Sequence, residues 1–178
     1  LLLSSYTNTG DYDGVLSILT SQNDYKDDRL MQKVTFLKAI QLFNAGDYPK
    51  AGEYFQRSVK NDNVKSLTAQ SFFWLAQTHY ETNRFEDAVD MFFNFENNAS
   101  RRVMLNELEY HYHIGYTYFK MGEYKLAFNS FQEVVNQHQD YPRTKVRDAY
   151  IRMGDASTTS GLVSSGSCLK GIFPNCNI

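Results

Sequence analysis

The sequence has 178 residues, 42% hydrophobic and 15% aromatic, with 18 basic against 20 acidic side chains and a net charge of −2. That length and apolar share suit a folded domain with a core of its own and exclude a disordered chain, while the charge balance lacks the basic footprint of a dedicated nucleic-acid binder. No apolar run approaches the roughly 20 residues of a membrane span, and both cysteines, Cys168 and Cys176, fall in the last stretch, so no disulfide framework holds the rest.

Taken in chain order, the apolar spacing predicts helices near 1–8, 11–21, 29–44, 47–60, 66–81, 85–97, 105–121, 124–139 and 144–160. Nothing in 1–160 alternates with period two over a useful length, so no strands are expected. Four of the joints are near-copies: GDYDGVLSIL from Gly10, GDYPKAGEYF from Gly46, NRFEDAVDMF from Asn83 and GEYKLAFNSF from Gly122. Recurrence at this interval indicates stacked two-helix units. Before each of the last three turns, four residues share one helical face. They are Thr35, Lys38, Ala39 and Leu42; then Phe72, Leu75, Ala76 and His79; then His111, Ile114, Gly115 and Tyr118. After each comes a small residue and an aromatic four places on: Ala51 and Phe55, Ala88 and Phe92, Ala127 and Phe131. Ala39, Ala76 and Gly115 are expected where two helices approach closely, a large side chain of the partner helix filling the gap.

The turns follow from the same logic. Gly46 and Gly122 stand where a helix ends and a positive φ suits glycine, and Asn83 is the next best residue. Asp47 is expected to cap the next helix and Pro49 to sit in its first turn. Tyr48, Phe85 and Tyr124 are expected to tuck a ring back onto the preceding helix.

At these residues the chain resembles the tetratricopeptide repeat family, whose pattern is W-x2-L-G-x2-Y, A-x3-F, then P. The fourth unit reads His111-x2-Ile114-Gly115-x2-Tyr118, Ala127-x3-Phe131, with Pro142 beyond; the third reads Phe72-x2-Leu75-Ala76-x2-His79, then Ala88-x3-Phe92. Leu2, Leu3 and Tyr6 occupy the corresponding places before Gly10, and Tyr150, Met153 and Gly154 begin a fifth unit. Lys38 stands where a leucine is usual and His79 where an aromatic is usual. The stretch YPRTKVRDAYIRMGDA from Tyr141 resembles junctions in the bacterial periplasmic branch of the family, whose members serve outer-membrane assembly. The resemblance implies an all-α, right-handed α-solenoid of antiparallel helix pairs over 1–160, with units near 1–25, 26–62, 63–101, 102–140 and a partial unit at 141–160. Residue 1 falls inside the first helix of a unit, so a piece of a longer array is expected. The tail 161–178 is expected to be irregular, either disordered or a non-native addition.

Catalytic motifs do not survive inspection. Ser167 to Lys170 matches S-x-x-K without its companion S-D-N and K-T-G motifs. The two glycines of GLVSSGS from Gly161 lack the lysine of a phosphate-binding loop. His111 and His113 are two apart on a helix and point to different faces, and two cysteines without histidines make no zinc site. Asp87, Asp90, Glu107 and Glu109 read as solvated or helix-start charges. The sequence thus predicts no enzyme, no cofactor and no metal site.

What remains is a surface. The first helix of each unit in such an array lines the inner face. The residues between the packing places there are Lys33, Phe36, Leu37, Ile40 and Phe43, then Gln70, Phe73, Trp74, Gln77 and Tyr80, then Glu109, Tyr112, His113, Tyr116 and Phe119, and finally Asp148, Ile151, Arg152 and Asp155. Chaperone-adaptor members of the family grip a peptide carboxylate with Lys, Asn and Arg at such places. Phe36, Ile40, Trp74, Gln77, Glu109 and His113 stand here instead, so that clamp is absent. The partner-binding set expected from sequence is therefore Phe36, Ile40, Phe43, Phe73, Trp74, Gln77, Tyr80, Tyr112, His113, Tyr116 and Phe119. Such a face suits a protein or peptide with an apolar or amphipathic segment. Uncapped apolar ends also favour homodimerisation. The expected role is a non-catalytic interaction scaffold within a larger bacterial protein, with the periplasm or envelope favoured over the cytoplasm; the alternatives are a repeat segment of a larger sensor or regulator, and the non-catalytic part of an enzyme whose active site lies outside this chain.

Overall fold

A computed structural model describes residues 10–21, 27–99, 107–136, 142–159 and 161. The helix expected over 1–8, with Leu2, Leu3 and Tyr6, and the tail with Cys168 and Cys176 lie outside these residues. The described elements are all helical: α1 (Tyr12–Ser21), α2 (Asp28–Asn44), α3 (Tyr48–Asn61), α4 (Lys65–Glu81), α5 (Phe85–Asn98), α6 (Glu107–Met121), α7 (Tyr124–Asn136) and α8 (Arg143–Thr159). Within α1–α5 and within α6–α8, consecutive helices pack against one another in the manner of an α-solenoid. The chain divides into two compact units, Leu1–Leu105 and Asn106–Ile178.

The turns that punctuate these pairs share one geometry. Gly46, Asn83 and Gly122 have φ of 78°, 58° and 80°, the left-handed region in which a Cβ is strained and asparagine is the best-tolerated substitute. Each turn then closes with the same backbone bond, five residues back along the chain. Asp47 N–H donates to Leu42 C=O at 3.0 Å, Arg84 N–H to His79 C=O at 2.9 Å, and Glu123 N–H to Tyr118 C=O at 2.9 Å. This satisfies carbonyls that the helix end would otherwise leave open. Asp47 caps α3 by accepting from Lys50 N–H, and Pro49 occupies its first turn, where no donor is needed. An aromatic pair then clamps each turn: Phe43 on Tyr48 at 5.2 Å, Tyr80 on Phe85 at 5.7 Å and Phe119 on Tyr124 at 5.3 Å, all edge-to-face.

In the first unit, Phe36, Ala39, Ala51, Phe55 and Leu75 form the core between α2, α3 and α4, and Val15, Leu19 and Val34 join α1 to α2. In the second, Ala127, Phe131, Val134, Val135, Ala149, Met153 and Ala156 bury α7 between α6 and α8. The small residues are where the helices close: a Cβ built on Gly115 would stand 3.0 to 3.1 Å from three ring carbons of Phe131. The two departures from the family pattern also resolve physically. Lys38, half-buried, pairs with Asp13 at 2.6 Å, so its charge is compensated where leucine is usual. His79 is buried in the aromatic place, and burial and then the Arg84 charge push its pKa below the ordinary histidine value.

One core feature has no sequence signature. Gln32 is completely buried, and its amide ties three segments. Its Nε2 donates to Ser58 C=O at 3.2 Å and Thr68 Oγ1 at 3.0 Å, and its Oε1 accepts from the backbone of Asn63 at 3.0 Å and Val64 at 2.7 Å. It thereby clips the loop between α3 and α4 onto α2, satisfying donors that burial would otherwise make costly.

Candidate protein-interaction faces

Each unit has its own inner face, and the two differ in chemistry. In the first unit, α2 and α4 supply it. Phe36 faces inward, meeting Phe55 edge-on at 5.9 Å, and is buried; Gln77 is buried too, with no hydrogen-bond partner for its Nε2 among the described residues. Phe73 packs on Phe92 at 5.8 Å and Phe95 at 5.4 Å, inside the α4/α5 pair. Phe43 and Tyr80 are half-buried in the turn clamps. Trp74 is half-buried and joins the two helices, its indole edge-on to Phe43 at 5.2 Å. The open part of this face is narrower than the stripe suggests, since Phe36 and Gln77 are closed off; Leu37, Ile40, Phe43, Phe73, Trp74 and Tyr80 are half-exposed, bordered by exposed Lys33 and Gln70. Side-chain periodicity identifies the stripe, but α3 and α5 cover part of it.

In the second unit, α6 and α8 supply the face, and a ladder of charges and tyrosines spans it. Glu109 accepts from Lys145 at 2.6 and 2.7 Å and stands 3.3 Å from His113 Nε2. Tyr112 donates to Asp148 at 2.9 Å, and Tyr116 donates to the same carboxylate oxygen. Arg152 Nε donates to Tyr116 Oη at 3.2 Å, and its Nη1 to Asp155 at 2.7 Å. The cations also lie over the rings, Lys145 at 5.3 Å from Tyr112 and Arg152 at 5.9 Å from Tyr116. Three of these contacts, Glu109–Lys145, Tyr112–Asp148 and Tyr116–Arg152, join residues 36 apart, three short of the 39 that separate equivalent places such as Gly115 and Gly154.

The electrostatics follow. His113 and then Lys145 hold the Glu109 carboxyl down to about 2, against its own partial burial. Burial and the Asp148 carboxylate push the Tyr112 and Tyr116 hydroxyls above the usual tyrosine value, so both remain donors at neutral pH. Glu109, read from sequence as a solvated charge, is instead half-buried and ion-paired. Lys145 belongs to this site and sequence reading did not single it out, because it lies three residues before Asp148, the place equivalent to Glu109. Phe119 is half-buried against Tyr124, and Ile151 is 50% exposed. Among the described residues, no group of three His, Cys, Asp or Glu side chains could share a metal ion.

Comparison with known proteins places these pairs. The tetratricopeptide repeat model matches residues 108–137, the α6/α7 pair. The chain carries a tetratricopeptide repeat. Solved structures show that the fold extends beyond the matched segment. BtubC (BKLC) from P. vanneervenii is 16% identical with a TM-score of 0.65, over 90% of this chain and 70% of that one. A protein of Podosopora anserina, named as a kinesin light chain with nearly identical TPR-like repeats, is 14% identical with a TM-score of 0.65, over 90% and 84%. The MamA protein is 18% identical with a TM-score of 0.63, over 90% and 79%. No curated protein matches the sequence. Within the tetratricopeptide repeat at 108–137 lie Tyr112, His113, Tyr116 and Phe119, all on α6. Among the described residues no helix is long and apolar enough to cross a membrane.

Proposed function

We propose that the chain is a non-catalytic protein-interaction scaffold whose inner helix faces hold a segment of a partner protein. The observation that carries this reading is the α6/α8 ladder: the Tyr112 and Tyr116 hydroxyls are held by Asp148 and Arg152 before any partner binds. Prearranged aromatic surface of this kind lowers the entropic cost of association. Taken singly, the first unit, with Ile40 and Trp74, suits an apolar segment, and the second, with tyrosine rings edged by Glu109, Lys145 and Arg152, suits an amphipathic one. The resemblance of the junction after Tyr141 supports a bacterial-envelope setting for this scaffold.

Photo-crosslinking in the source cells tests the reading. A crosslinking side chain at Ile40 or Ile151, on the inner faces, is expected to trap a discrete partner. The same group at Phe93 on α5 or Leu126 on α7, both exposed on second helices, is expected to trap none. Partner adducts from Phe93 and Leu126 and none from the inner positions would overturn it.

A further inference from the structure

Away from the inner faces, α1, α2 and α3 of the first unit enclose a cleft of about 480 Å³. Its size is that of a binding cleft rather than a packing defect. Each helix gives it one stripe at helical spacing. Leu16, Met31 and Tyr54 supply apolar surface, and Arg57 and Lys60, one turn apart on α3, supply a cationic wall. The Arg57 guanidinium lies 5.2 Å from the Tyr54 ring centroid, which orients it. Neither Arg57 nor Lys60 forms an ion pair with any described residue, although Asp13 and Asp28 line the same cleft. Asp13 is taken by Lys38 at 2.6 Å, and Asp28 sits in the first turn of α2, where the helix terminus favours its charge. Two of the lining hydroxyls are likewise satisfied at home: Thr20 donates to Leu16 and Ser17 carbonyls and Thr35 to Met31 C=O. The charged recognition chemistry left over is thus two cations above an apolar floor.

We infer that this cleft is a second docking site, for a short acidic segment of a partner protein. Such a segment seats a leucine- or phenylalanine-type side chain on Leu16, Met31 and Tyr54 and sets carboxylates against Arg57 and Lys60. The apolar floor argues against a bare anion as the occupant, and two cations are too few for a nucleic acid, which is held by many phosphate contacts.

The test uses the full chain and a fluorescein-labelled peptide, Glu-Leu-Glu-Glu-Phe-Leu-Glu-Glu, followed by fluorescence polarisation at low salt. Saturable binding is expected, weakened at least about tenfold by Arg57→Glu/Lys60→Glu. Both side chains are exposed, so circular dichroism is expected to show an unchanged fold. Lys125→Glu/Arg147→Glu makes the same charge change at exposed sites of the other unit and is expected to shift affinity less than about threefold. A peptide with glutamine for every glutamate is expected to lose binding to a similar extent. The inference is overturned by equal effects of the two charge-reversal pairs, by equal binding of the glutamine peptide, or by no saturation up to about 1 mM. Binding of a 12-base-pair DNA duplex in preference to the peptide would overturn it as well.

Discussion

Gly115 offers the sharpest test of the packing. Replacing it with alanine removes a flexible residue from the middle of α6, which by helix propensity alone stabilises by about 1 kcal/mol. The new methyl, however, meets Phe131 carbons at 3.0, 3.1 and 3.1 Å. Phe131 is completely buried and cannot swing away: Tyr116 stands edge-on to it at 5.2 Å and Tyr112 at 6.3 Å, and both tyrosines are tied to Asp148. Overpacking of that kind costs about 1–3 kcal/mol, so the net expectation for Gly115→Ala is destabilisation by about 1 kcal/mol. Two internal controls share the chemistry without the clash. A Cβ on Gly154, in α8, meets nothing within 4 Å, and one on Gly52, in α3, meets Thr78 at an ordinary 3.4 Å. Both alanine variants are expected to be neutral or to stabilise by up to about 1 kcal/mol. In a Phe131→Leu background the collision is relieved, and Gly115→Ala should stabilise, giving a coupling of about 2 kcal/mol across the cycle. Urea unfolding followed by circular dichroism at 222 nm reads all of these. If Gly115→Ala stabilises as much as Gly154→Ala, or has the same effect in both backgrounds, the close-approach argument is wrong.

Replacing Gln32 with leucine strands the Asn63 and Val64 amides and should destabilise by about 2–3 kcal/mol; hydrogen exchange should show those two amides losing protection, and unchanged protection would refute the clip. Because the Glu109 carboxyl is held below its ordinary value of 4.5, its contribution to stability is present above pH 4.5 and is lost as pH falls toward about 2. Glu109→Gln should therefore flatten the acid limb of a melting-temperature profile over that window while leaving the fold intact. His79, pushed below 6.5 by burial, favours the folded state when neutral, so stability should fall as pH drops below 6.5. His79→Phe, which restores the usual aromatic, should weaken that fall, as differential scanning calorimetry between pH 7 and pH 5 would show.

How much of this was legible beforehand depends on what each residue does. Gly46, Asn83, Gly122, the Ala51–Phe55 spacing and its copies act within one helix pair. Local pattern therefore finds them, and the helix ends fall within about three residues of expectation. Gln32 was invisible because a lone glutamine on a polar-looking turn reads as surface. Its partners Asn63, Val64 and Thr68 are a repeat away. The inner faces fall between these cases. Periodicity places Phe36, Phe73 and Trp74 on neighbouring stripes, yet only the neighbouring helices decide that Phe36 is buried against Phe55, while Phe73, packed on Phe92 and Phe95, and Trp74 stay half-open. Charge on Glu109 was visible, but its pairing with Lys145 requires knowing that α6 meets α8 three residues out of step with the repeat.

The register of the α6/α8 ladder bears on how such a chain can change. Equivalent places such as Gly115 and Gly154 are 39 residues apart, whereas Glu109–Lys145, Tyr112–Asp148 and Tyr116–Arg152 span 36. Each α6 side chain therefore meets the residue three places before its own counterpart. A tandem copy of the fourth unit would not set like on like. Tyr112 would meet a second Glu109 in place of Asp148, and Tyr116 a second His113 in place of Arg152. The carboxylate beside Tyr112 would be kept, and the permanent cation beside Tyr116 would give way to an imidazole. A copied repeat would thus inherit half of the ladder and lose the other half.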